Sequence, residues 1–367
     1  MGMRILGIET SCDETALALL EASGPLAAPK FRTLKNIVSS QIAVHKPFGG
    51  VVPTLAKREH IKNLPKIFDN LRLKTNDLKL DAIAVTVGPG LEPALWAGIE
   101  FARALHAELK VKNPDLKLIG VNHLEGHLYS FLLPKKTGIP NSELRISNVF
   151  PAIALIVSGG HTILLKMDSM TKWKKLGETL DDAVGEAFDK VARMLSLPYP
   201  GGPEIQRLAE KGNPDVIPFP RPMLRHKSYN FSYSGLKTSV LYYLRDNSDV
   251  LRSRNSDSAK GGRRSPRVTK ADVAASFQAA ALEPLVAKAA RAAMEFKARS
   301  IILSGGVAAN RALRKKLQVE SKKLKVNFLA PPMDFNTDNA VMIAAAGYMG
   351  HLRKKKRKLA ANGGMGI

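Results

Sequence analysis

One pattern occurs twice in the sequence: an apolar strand, a polar turn and a second apolar strand. In the first copy, residues 4–8 and 16–20 flank a turn rich in hydroxyls and carboxylates. In the second copy, residues 151–157 and 163–167 flank the turn 158–162, of sequence SGGHT. A repeated supersecondary unit indicates a duplication within the chain. The sequence therefore predicts two α/β halves, each of which opens with a hairpin that faces a shared cleft.

The length of the chain agrees with two domains. A chain of 367 residues exceeds what one hydrophobic core usually supports. We expect a first half over residues 1–148, a second half over 149–338, and a closing helix with a basic tail over 339–367. A polar stretch rich in Ser and Arg, at about 247–270, is predicted to be a disordered insertion. This stretch is either an ordinary linker or a loop that contacts RNA.

The sequence also carries signals of cellular location. It contains no apolar run of about 18 residues and starts without the layout of a signal peptide. The single cysteine, Cys12, cannot form an internal disulfide, which agrees with a reducing compartment. We therefore expect a cytoplasmic protein that does not contact a membrane.

Two histidines, His123 and His127, lie one helical turn apart if the segment after the predicted strand 116–121 is helical. Two imidazoles at this spacing can share one metal ion. They suit zinc or iron, and they leave positions for a third protein ligand and for substrate. The alternative is a pair of partly exposed histidines without a partner. The His-Glu-x-x-His order of a zinc protease is absent, because Glu125 follows His123 by two residues.

Acidic residues are concentrated in two places. In the first hairpin turn, Asp13 and Glu14 are candidates for acid/base catalysis or for holding a metal-bound water, although acidic and hydroxyl residues are also good turn formers. The segment 181–190 carries several acids in a chain that is otherwise basic. On a helix, three of these acids would line one face, where they could meet ribose hydroxyls, Mg²⁺ or substrate donors: Asp182, Glu186 and Asp189.

The formal net charge is +24, from 56 Lys and Arg against 32 Asp and Glu. Such an excess indicates a polyanionic partner, because each neutralised phosphate adds affinity through counterion release. The turn glycines Gly159 and Gly160 agree with this, since they let backbone N–H groups point at phosphate oxygens. The alternatives are a basic proteome or a basic tail, and a Gly-Gly hairpin without a ligand. The basic run 351–358 is expected to be a solvated or RNA-tethering terminus.

Eight motifs then follow one another along nearly the whole chain. They are GIETSCDET (7–15), GGVVP (49–53), HLEGH (123–127), VSGGHT (157–162), GEAFDK (185–190), YPGGP (199–203), FSYSGLKT (231–238) and GGVAAN (305–310). Together they resemble the TsaD family of tRNA threonylcarbamoyladenosine synthases, which were once misnamed glycoproteases. The resemblance implies a duplicated α/β fold of the actin-like ATPase type (ASKHA, RNase H-like), with two lobes around an interdomain cleft.

The resemblance also implies an activity and a set of site residues. The activity is transfer of a threonylcarbamoyl group from threonylcarbamoyl-AMP to the exocyclic amine of the adenosine 3′ of the anticodon, in tRNAs that read codons beginning with A, with release of AMP. By matching positions, the ligands of one divalent metal, iron(II) or alternatively zinc, would be His123, His127 and Asp338. The adenylate site, where Mg²⁺ could accompany the nucleotide, would comprise Ile156, Val157, Ser158, Gly159, Gly160, Asp189, Gly202 and Asn310. Independently of the resemblance, the place of Asp13 and Glu14 in the hairpin that faces the cleft leads to the hypothesis that one of them accepts the amine proton. At Gln206 many relatives carry an acid, which puts one adenylate contact in doubt.

Partners follow from the same resemblance. We expect tRNA, held mostly through its phosphates, and accessory proteins that include a paralogous actin-fold subunit. Two other classes of function stay open. An actin-fold small-molecule kinase or ATPase would share the glycine turns and the carboxylates but would have no need of the paired histidines. A non-catalytic tRNA-binding subunit would explain the charge but not the acids and histidines.

Overall fold

Two five-stranded β-sheets form the framework of the protein. The computed structural model describes residues 2–73, 79–134, 146–247 and 268–367. The first sheet contains β1 (Met3–Glu9), β2 (Glu14–Ser23), β3 (Lys30–Ser40), β4 (Ala82–Gly88) and β5 (Lys117–Asn122). The second sheet contains β6 (Ala152–Val157), β7 (Thr162–Met167), β8 (Trp173–Glu178), β9 (Ser300–Ser304) and β10 (Asn327–Leu329).

The two sheets have the same topology. The strand order is β3-β2-β1-β4-β5 in the first sheet and, in the same sense, β8-β7-β6-β9-β10 in the second. In each sheet the first three strands form an antiparallel meander, and the fourth and fifth strands continue in parallel beside the first. The predicted duplication, with a hairpin at the start of each half, is therefore confirmed.

Helices cover both faces of each sheet. They are α1 (Ile42–His45), α2 (Pro53–Leu73), α3 (Glu92–Lys110), α4 (His123–Tyr129), α5 (Val184–Met194), α6 (Gly201–Ala209), α7 (Ser234–Asp246), α8 (Lys270–Glu295), α9 (Arg311–Lys323) and α10 (Ala340–Leu352). Short 3₁₀ helices lie at Lys46–Phe48, Ser130–Leu132, Ile146–Asn148, Gly306–Ala309 and Met333–Phe335. In the described parts of the chain, no helix combines the length and apolar character that crossing a membrane requires.

The core has a shared middle layer, made by α4 and α10. Successive residues of a strand point to opposite faces of its sheet, so β1 serves two cores. Leu6 and Ile8 pack with α2 and α3 on the outer face, whereas Ile5 packs with α4 and α10 on the inner face. The inner face of the second sheet, including Ile156 of β6 and Leu165 of β7, packs in the same cluster. Helices α4 and α10 therefore lie between the two halves.

The edge strands β3 and β8 are not evident in the sequence, although both sheets depend on them for their third antiparallel strand. Strand β8, of sequence WKKLGE, exposes Lys174 and Lys175 and has a single fully buried position. An edge strand with one solvated side lacks the continuous apolar run that marks a central strand, so its sequence does not indicate a strand. The lysines on such an edge also disfavour pairing with another chain.

The acidic segment at 181–190 is not the single helical face that its spacing predicted. Helix α5 starts at Val184, so Asp182 lies outside it. Asp182 instead accepts hydrogen bonds from Lys190 at 2.7 Å and from Lys237 at 2.9 Å, and Lys190 also pairs with Glu186 at 2.8 Å. Because lysines neutralise these two acids, only Asp189 of the three stays free of an ion pair within the described chain.

The basic C-terminal run was expected to be a solvated or RNA-tethering terminus, and its lysines Lys354, Lys355, Lys356 and Lys358 are indeed exposed, but the segment is not free. Arg357 is largely buried against Glu125 of α4, and residues beyond it pack on the first half. The terminus is therefore held against the protein, because the residues that follow the basic run include Leu359 and Met365, which pack on the outer core. Whether the run contacts RNA stays a prediction. The predicted disordered insertion at about 247–270 lies, apart from its ends, outside the described residues.

The contact between β1 and α10 generates a stability test. A methyl group at Gly7 would lie 2.0 Å from the carbonyl oxygen of Ala340, where both partners are backbone. We expect Gly7→Ala to lower the free energy of unfolding by about 1–3 kcal/mol or more, because α10 must shift. Gly350→Ala, in α10 itself, is the matched control. A methyl group there meets no described atom within 4 Å, so chemical denaturation should show no loss of stability.

Candidate metal centre and cleft

Helix α4 starts where strand β5 ends, and a side chain caps it. Asn122 accepts hydrogen bonds from the backbone N–H groups of Leu124 at 2.8 Å and Glu125 at 3.2 Å. This is the capping arrangement that defines a helix start. His123 and His127 consequently lie one turn apart on one face, with ring centroids 4.6 Å apart, and both are buried.

A carboxylate from the far end of the chain completes the cluster. Asp338 directly precedes Asn339, which caps α10 by accepting from Met342 N–H at 3.0 Å. Asp338 Oδ1 lies 3.4 Å from His123 Nε2 and 3.2 Å from His127 Nε2. One donor atom from each residue lies within 4.8 Å of the other two, so the three could bind one ion. The histidines thus have a third partner, as the resemblance implied.

Glu9, at the end of β1, orients His123. Its fully buried carboxylate accepts hydrogen bonds from Thr86 Oγ1 at 2.8 Å and from His123 Nδ1 at 3.0 Å. A hydrogen bond at Nδ1 holds the imidazole in the tautomer that turns Nε2 toward Asp338, as outer-shell carboxylates do in metal sites. Glu9 belongs to the motif GIETSCDET (7–15). Its spacing in the sequence did not show that it contacts His123.

The side chains fit a metal ion. Neither ring nitrogen of the fully buried His127 makes a well-aligned hydrogen bond within the described residues, although Nε2 lies 3.2 Å from Asp338 Oδ1. Such buried nitrogens are costly unless something satisfies them. A set of two imidazoles and one carboxylate suits iron or zinc and leaves coordination positions open.

The charges in the cluster shift its pKa values in opposite directions. Burial lowers the pKa of His123, but the carboxylates of Asp338 and Glu9 outweigh it and raise the pKa to about 9. Burial lowers the pKa of His127, although Asp338 partly opposes this. Burial raises the pKa of Asp338, but the two histidines bring it down to about 2. Without a metal, His123 therefore carries a proton at neutral pH while His127 is neutral.

The hairpin between β6 and β7 approaches this cluster from the second half. Ser158 N–H donates to the carbonyl of His161 at 2.8 Å, and His161 N–H donates to Ser158 Oγ at 3.1 Å. Burial and then the nearby His123 and His127 lower the pKa of His161 to about 4. His161 therefore borders the metal-ligand cluster. In the sequence, His161 is the residue that follows Gly159 and Gly160. Nothing in its spacing indicated that it lies near the other histidines.

Several glycines leave open space around this hairpin. Methyl groups built at these glycines would meet no described atom within 4 Å: Gly159, Gly160, Gly202 and Gly306. By contrast, a methyl group at Gly185 would lie 2.5 Å from the Ser158 carbonyl, and one at Gly305 would lie 2.3 Å from the Val157 carbonyl. One set of glycines thus allows close packing beneath the hairpin, and the other leaves room for a ligand above it.

Asp13 and Glu14 lie at the start of β2, facing the second half. Tyr199 OH donates to Asp13 Oδ2 at 3.1 Å, which links the two halves across the cleft. His60 is within hydrogen-bond distance of residues on both sides of this pair: Nε2 lies 2.9 Å from the Cys12 carbonyl and Nδ1 lies 2.8 Å from Thr15 Oγ1. Burial and then the charges of Asp13 and Asp338 raise the pKa of Glu14 well above its ordinary value.

The remaining predicted residues line the second half. Asp189 accepts from the N–H of Gly201 at 2.7 Å, which places it beside Gly202 at the start of α6. Asn310 caps α9 by accepting from Leu313 N–H at 3.0 Å, and it donates to Gln278 at 2.8 Å. Its side chain is therefore engaged within the protein.

Three further predicted positions have side chains that serve the fold. Ile156 and Val157 are fully buried in β6, so only their backbone groups are available toward the hairpin. Gln206 accepts from the N–H of Arg311 at 2.7 Å, at the start of α9 beside Asn310. The amide of Gln206 thus makes a hydrogen bond within the protein.

Fold and site together define a class of protein: a two-lobed, duplicated α/β protein of the actin-like ATPase type with a cleft between its lobes. HypF from T. kodakarensis has a similar fold, with a TM-score of 0.54 at 16% identity over 97% of this chain and 48% of that chain. Full-length HypF in a phosphate- and nucleotide-bound form gives a TM-score of 0.53 at 12% identity, over 98% of this chain and 47% of that one. At these identities the likeness concerns the fold alone.

The chain belongs to the TsaD family, tRNA N6-adenosine threonylcarbamoyltransferase, whose profile matches residues 32–345. The protein of that name from Thermosipho melanesiensis is 47% identical over 94% of each chain. Those from Moorella thermoacetica and Bacillus subtilis are 45% and 44% identical, over 98% and 94% of this chain and 95% and 90% of the relative. The chain is therefore a transferase that modifies tRNA, and the predicted family, fold and enzyme class are confirmed.

The raised pKa of His123 predicts how metal affinity depends on pH. Below about pH 9 a metal ion must displace the proton of His123, so affinity should rise roughly tenfold per pH unit between pH 7 and 9. Calorimetric titration of metal-free protein with Zn²⁺, in buffers of different ionisation enthalpy, should show release of about one proton at pH 7. Glu9→Gln should move this dependence to lower pH, because a charge that raises the pKa is lost. Zn²⁺ affinity that does not change between pH 7 and 9 would contradict the assignment of His123 as a metal ligand that is protonated in the metal-free protein.

Proposed function

We propose that the protein transfers a threonylcarbamoyl group from threonylcarbamoyl-AMP to the exocyclic amine of the adenosine 3′ of the anticodon, in tRNAs that read codons beginning with A, and releases AMP. Family membership supports the tRNA and the transferred group. The observation that carries the proposal is the His123, His127 and Asp338 cluster, whose histidines act electrostatically on His161 of the open glycine hairpin in the second half.

In this proposal His123, His127 and Asp338 hold one divalent metal, iron(II) with zinc as the alternative. When bound, the metal supplies a Lewis acid that can polarise the carbamoyl carbonyl or grip the threonyl carboxylate. Glu9 keeps Nε2 of His123 turned toward the ion by accepting from Nδ1. The buried His127 Nε2, which lies 3.2 Å from Asp338 Oδ1 and makes no well-aligned hydrogen bond within the described residues, supports the presence of an ion.

The adenylate would lie over the hairpin of the second half. Backbone N–H groups of Gly159 and Gly160 can bind the phosphate that departs with AMP, because the space above these glycines is open. Asp189 is placed for a ribose hydroxyl, beside Gly202 where the start of α6 is open. We propose that the backbones of residues 156–158 and the Asn310 region complete this site, with Mg²⁺ accompanying the nucleotide where its phosphate charge requires it.

Asp13 and Glu14 would accept the proton of the attacking amine. The adenine amine is a weak nucleophile, since its lone pair is delocalised into the ring. Its nitrogen forms a bond to the carbamoyl carbon, the bond from that carbon to the AMP phosphate oxygen breaks, and the amine proton passes to a carboxylate. A carboxylate with a raised pKa, as at Glu14, is a stronger base than an ordinary one. The hydrogen bond from Tyr199 holds Asp13 in a defined orientation.

The basic character of the chain supports binding of the anticodon arm through phosphates. The formal charge of +24 exceeds what an acidic substrate as small as the adenylate would require. We propose that the protein acts in the cytoplasm together with accessory proteins of the same modification pathway, including a paralogous actin-fold subunit.

The phosphate contacts predict a dependence on salt. Affinity for unmodified tRNA should fall about tenfold for every two phosphates neutralised when salt is raised from about 50 to about 200 mM. Filter binding or fluorescence anisotropy at several salt concentrations measures the slope. Affinity that is insensitive to salt would exclude binding through phosphates.

The activity itself is tested by transfer of labelled threonylcarbamoyl from synthetic threonylcarbamoyl-AMP to unmodified tRNA, with the purified protein and again with its accessory proteins. We expect product from the wild type and none from His123→Ala or His127→Ala. Asp13→Asn and Glu14→Gln should lower turnover by about 10²–10⁴-fold and leave adenylate affinity unchanged, because they remove a proton acceptor.

The matched control is His106→Ala, on α3. His106 Nε2 contacts the Leu116 carbonyl at 2.9 Å, away from the cluster, so turnover should stay near that of the wild type. Full turnover in both His123→Ala and His127→Ala would exclude the metal role, whereas full turnover in Asp13→Asn and Glu14→Gln would remove those acids from the mechanism. ATP hydrolysis or phosphorylation of a small molecule, without transfer to tRNA, would indicate an actin-fold kinase instead.

A further inference from the structure

The C-terminal segment, residues 353–367, runs back over the first half of the protein. Asn362 N–H donates to the carbonyl of Val87 at 2.9 Å, and Arg103 donates to the carbonyl of Leu359 at 2.6 Å. Leu359, Ala361 and Met365 pack against the outer core of the first sheet. Backbone hydrogen bonds and partly buried apolar side chains together hold this segment in place on the β4 side of the sheet.

The same segment contacts α4 at two points. In the middle of the helix, Glu125 Oε1 accepts from Lys355 at 2.8 Å and pairs with Arg357 at 2.7 Å. At the start of the helix, Asn122 Nδ2 donates to the carbonyl of Gly366 at 2.8 Å. Asn122 is also the residue whose Oδ1 caps α4. The segment therefore contacts both the cap of the helix and the residue halfway between its two histidines.

Glu125 needs these cations. Its side chain is only 2% exposed, and a buried carboxylate without a partner is strongly unfavourable. Arg357 is itself 11% exposed, so this pair is shielded from solvent, and Arg353 lies at the edge of contact range, 4.0 Å away. Glu125 does not belong to the group of donor atoms formed by His123, His127 and Asp338. Its carboxylate faces the C-terminal segment, so it acts on the metal site through the helix rather than as a ligand.

We propose that Arg357, assisted by Lys355, is a positioning residue for the metal centre. By pairing with Glu125 it fixes the rotation of α4 and thereby the distance from His123 and His127 to Asp338. The proposal rests on the metal role proposed above for these histidines. A seven-residue helix has too few internal hydrogen bonds to keep this orientation alone, so contacts from outside decide it.

The test measures affinity for Zn²⁺ in the metal-free full-length protein, by competition with a chromophoric chelator at a temperature below the onset of unfolding. No adenylate or tRNA is present. Arg357→Met should weaken Zn²⁺ binding by about 10- to 100-fold, as loss of outer-shell support does in other metal sites. Arg357→Lys keeps a cation and should recover most of the affinity. Thermal unfolding of each metal-free variant is recorded separately.

Lys356→Met is the matched control. It removes the same charge from the adjacent position, but Lys356 is exposed and is not among the cations that pair with Glu125. Its Zn²⁺ affinity should equal that of the wild type. A further variant, Glu125→Gln with Arg357→Met, removes both charges and should bind Zn²⁺ more tightly than Arg357→Met alone, because the buried carboxylate that lost its shielded partner is removed as well. This variant also serves if Arg357→Met fails to fold.

The outcomes separate three claims: the positioning role of Arg357, the metal centre and the proposed function. Wild-type affinity in both Arg357→Met and the double variant, or an equal loss in Lys356→Met, would overturn the positioning role while leaving the metal centre intact. Absence of Zn²⁺ binding in the wild type would overturn the metal assignment together with this inference. Tight binding by the wild type with no transfer to tRNA would refute the proposed function alone.

Discussion

The middle layer of α4 and α10 is the constraint on which the rest of the structure depends. Both sheets bury their inner faces against these two helices, so neither half has a complete core without them. The ligands His123 and His127 lie on α4, and Asp338 directly precedes α10. The packing that joins the two halves therefore also assembles the cluster, and the cluster lies where ligands from either half can reach it.

Charge balance explains why the cluster of His123, His127 and Asp338 combines carboxylates with histidines. Glu9 and Asp338 bring two carboxylates to one place, and in the metal-free protein both lie within ion-pair distance of His123, whose pKa they raise. A divalent cation would neutralise both carboxylates and displace the proton of His123. Glu125, on the other side of α4, has its own cations from the C-terminal segment, so it does not compete for the ion. The acids at the cluster share His123, whereas Glu125 has partners of its own.

Much of this could be predicted from local patterns. Central strands and the repeated hairpin follow from apolar runs and turn residues, and the histidine pair follows from helical spacing. The edge strands β3 and β8 could not be recognised, because exposed strands carry few apolar residues. Asp182 was misplaced because acids at helical spacing do not show where a helix starts, and Glu9 and His161 act through partners more than 30 residues away in sequence.

By itself, the sequence determined the duplication, the family and the identity of the residues that could bind a metal, since these depend on composition, spacing and ordered motifs. Only the tertiary structure decided which acids meet which bases. In the fold, Asp338 lies beside two histidines that precede it by more than 200 residues. Arg357 of the basic terminus pairs with Glu125 of α4. The physical reason is that ion pairs and hydrogen bonds depend on distances of a few ångströms, and those distances are decided by packing between segments that the chain order keeps apart.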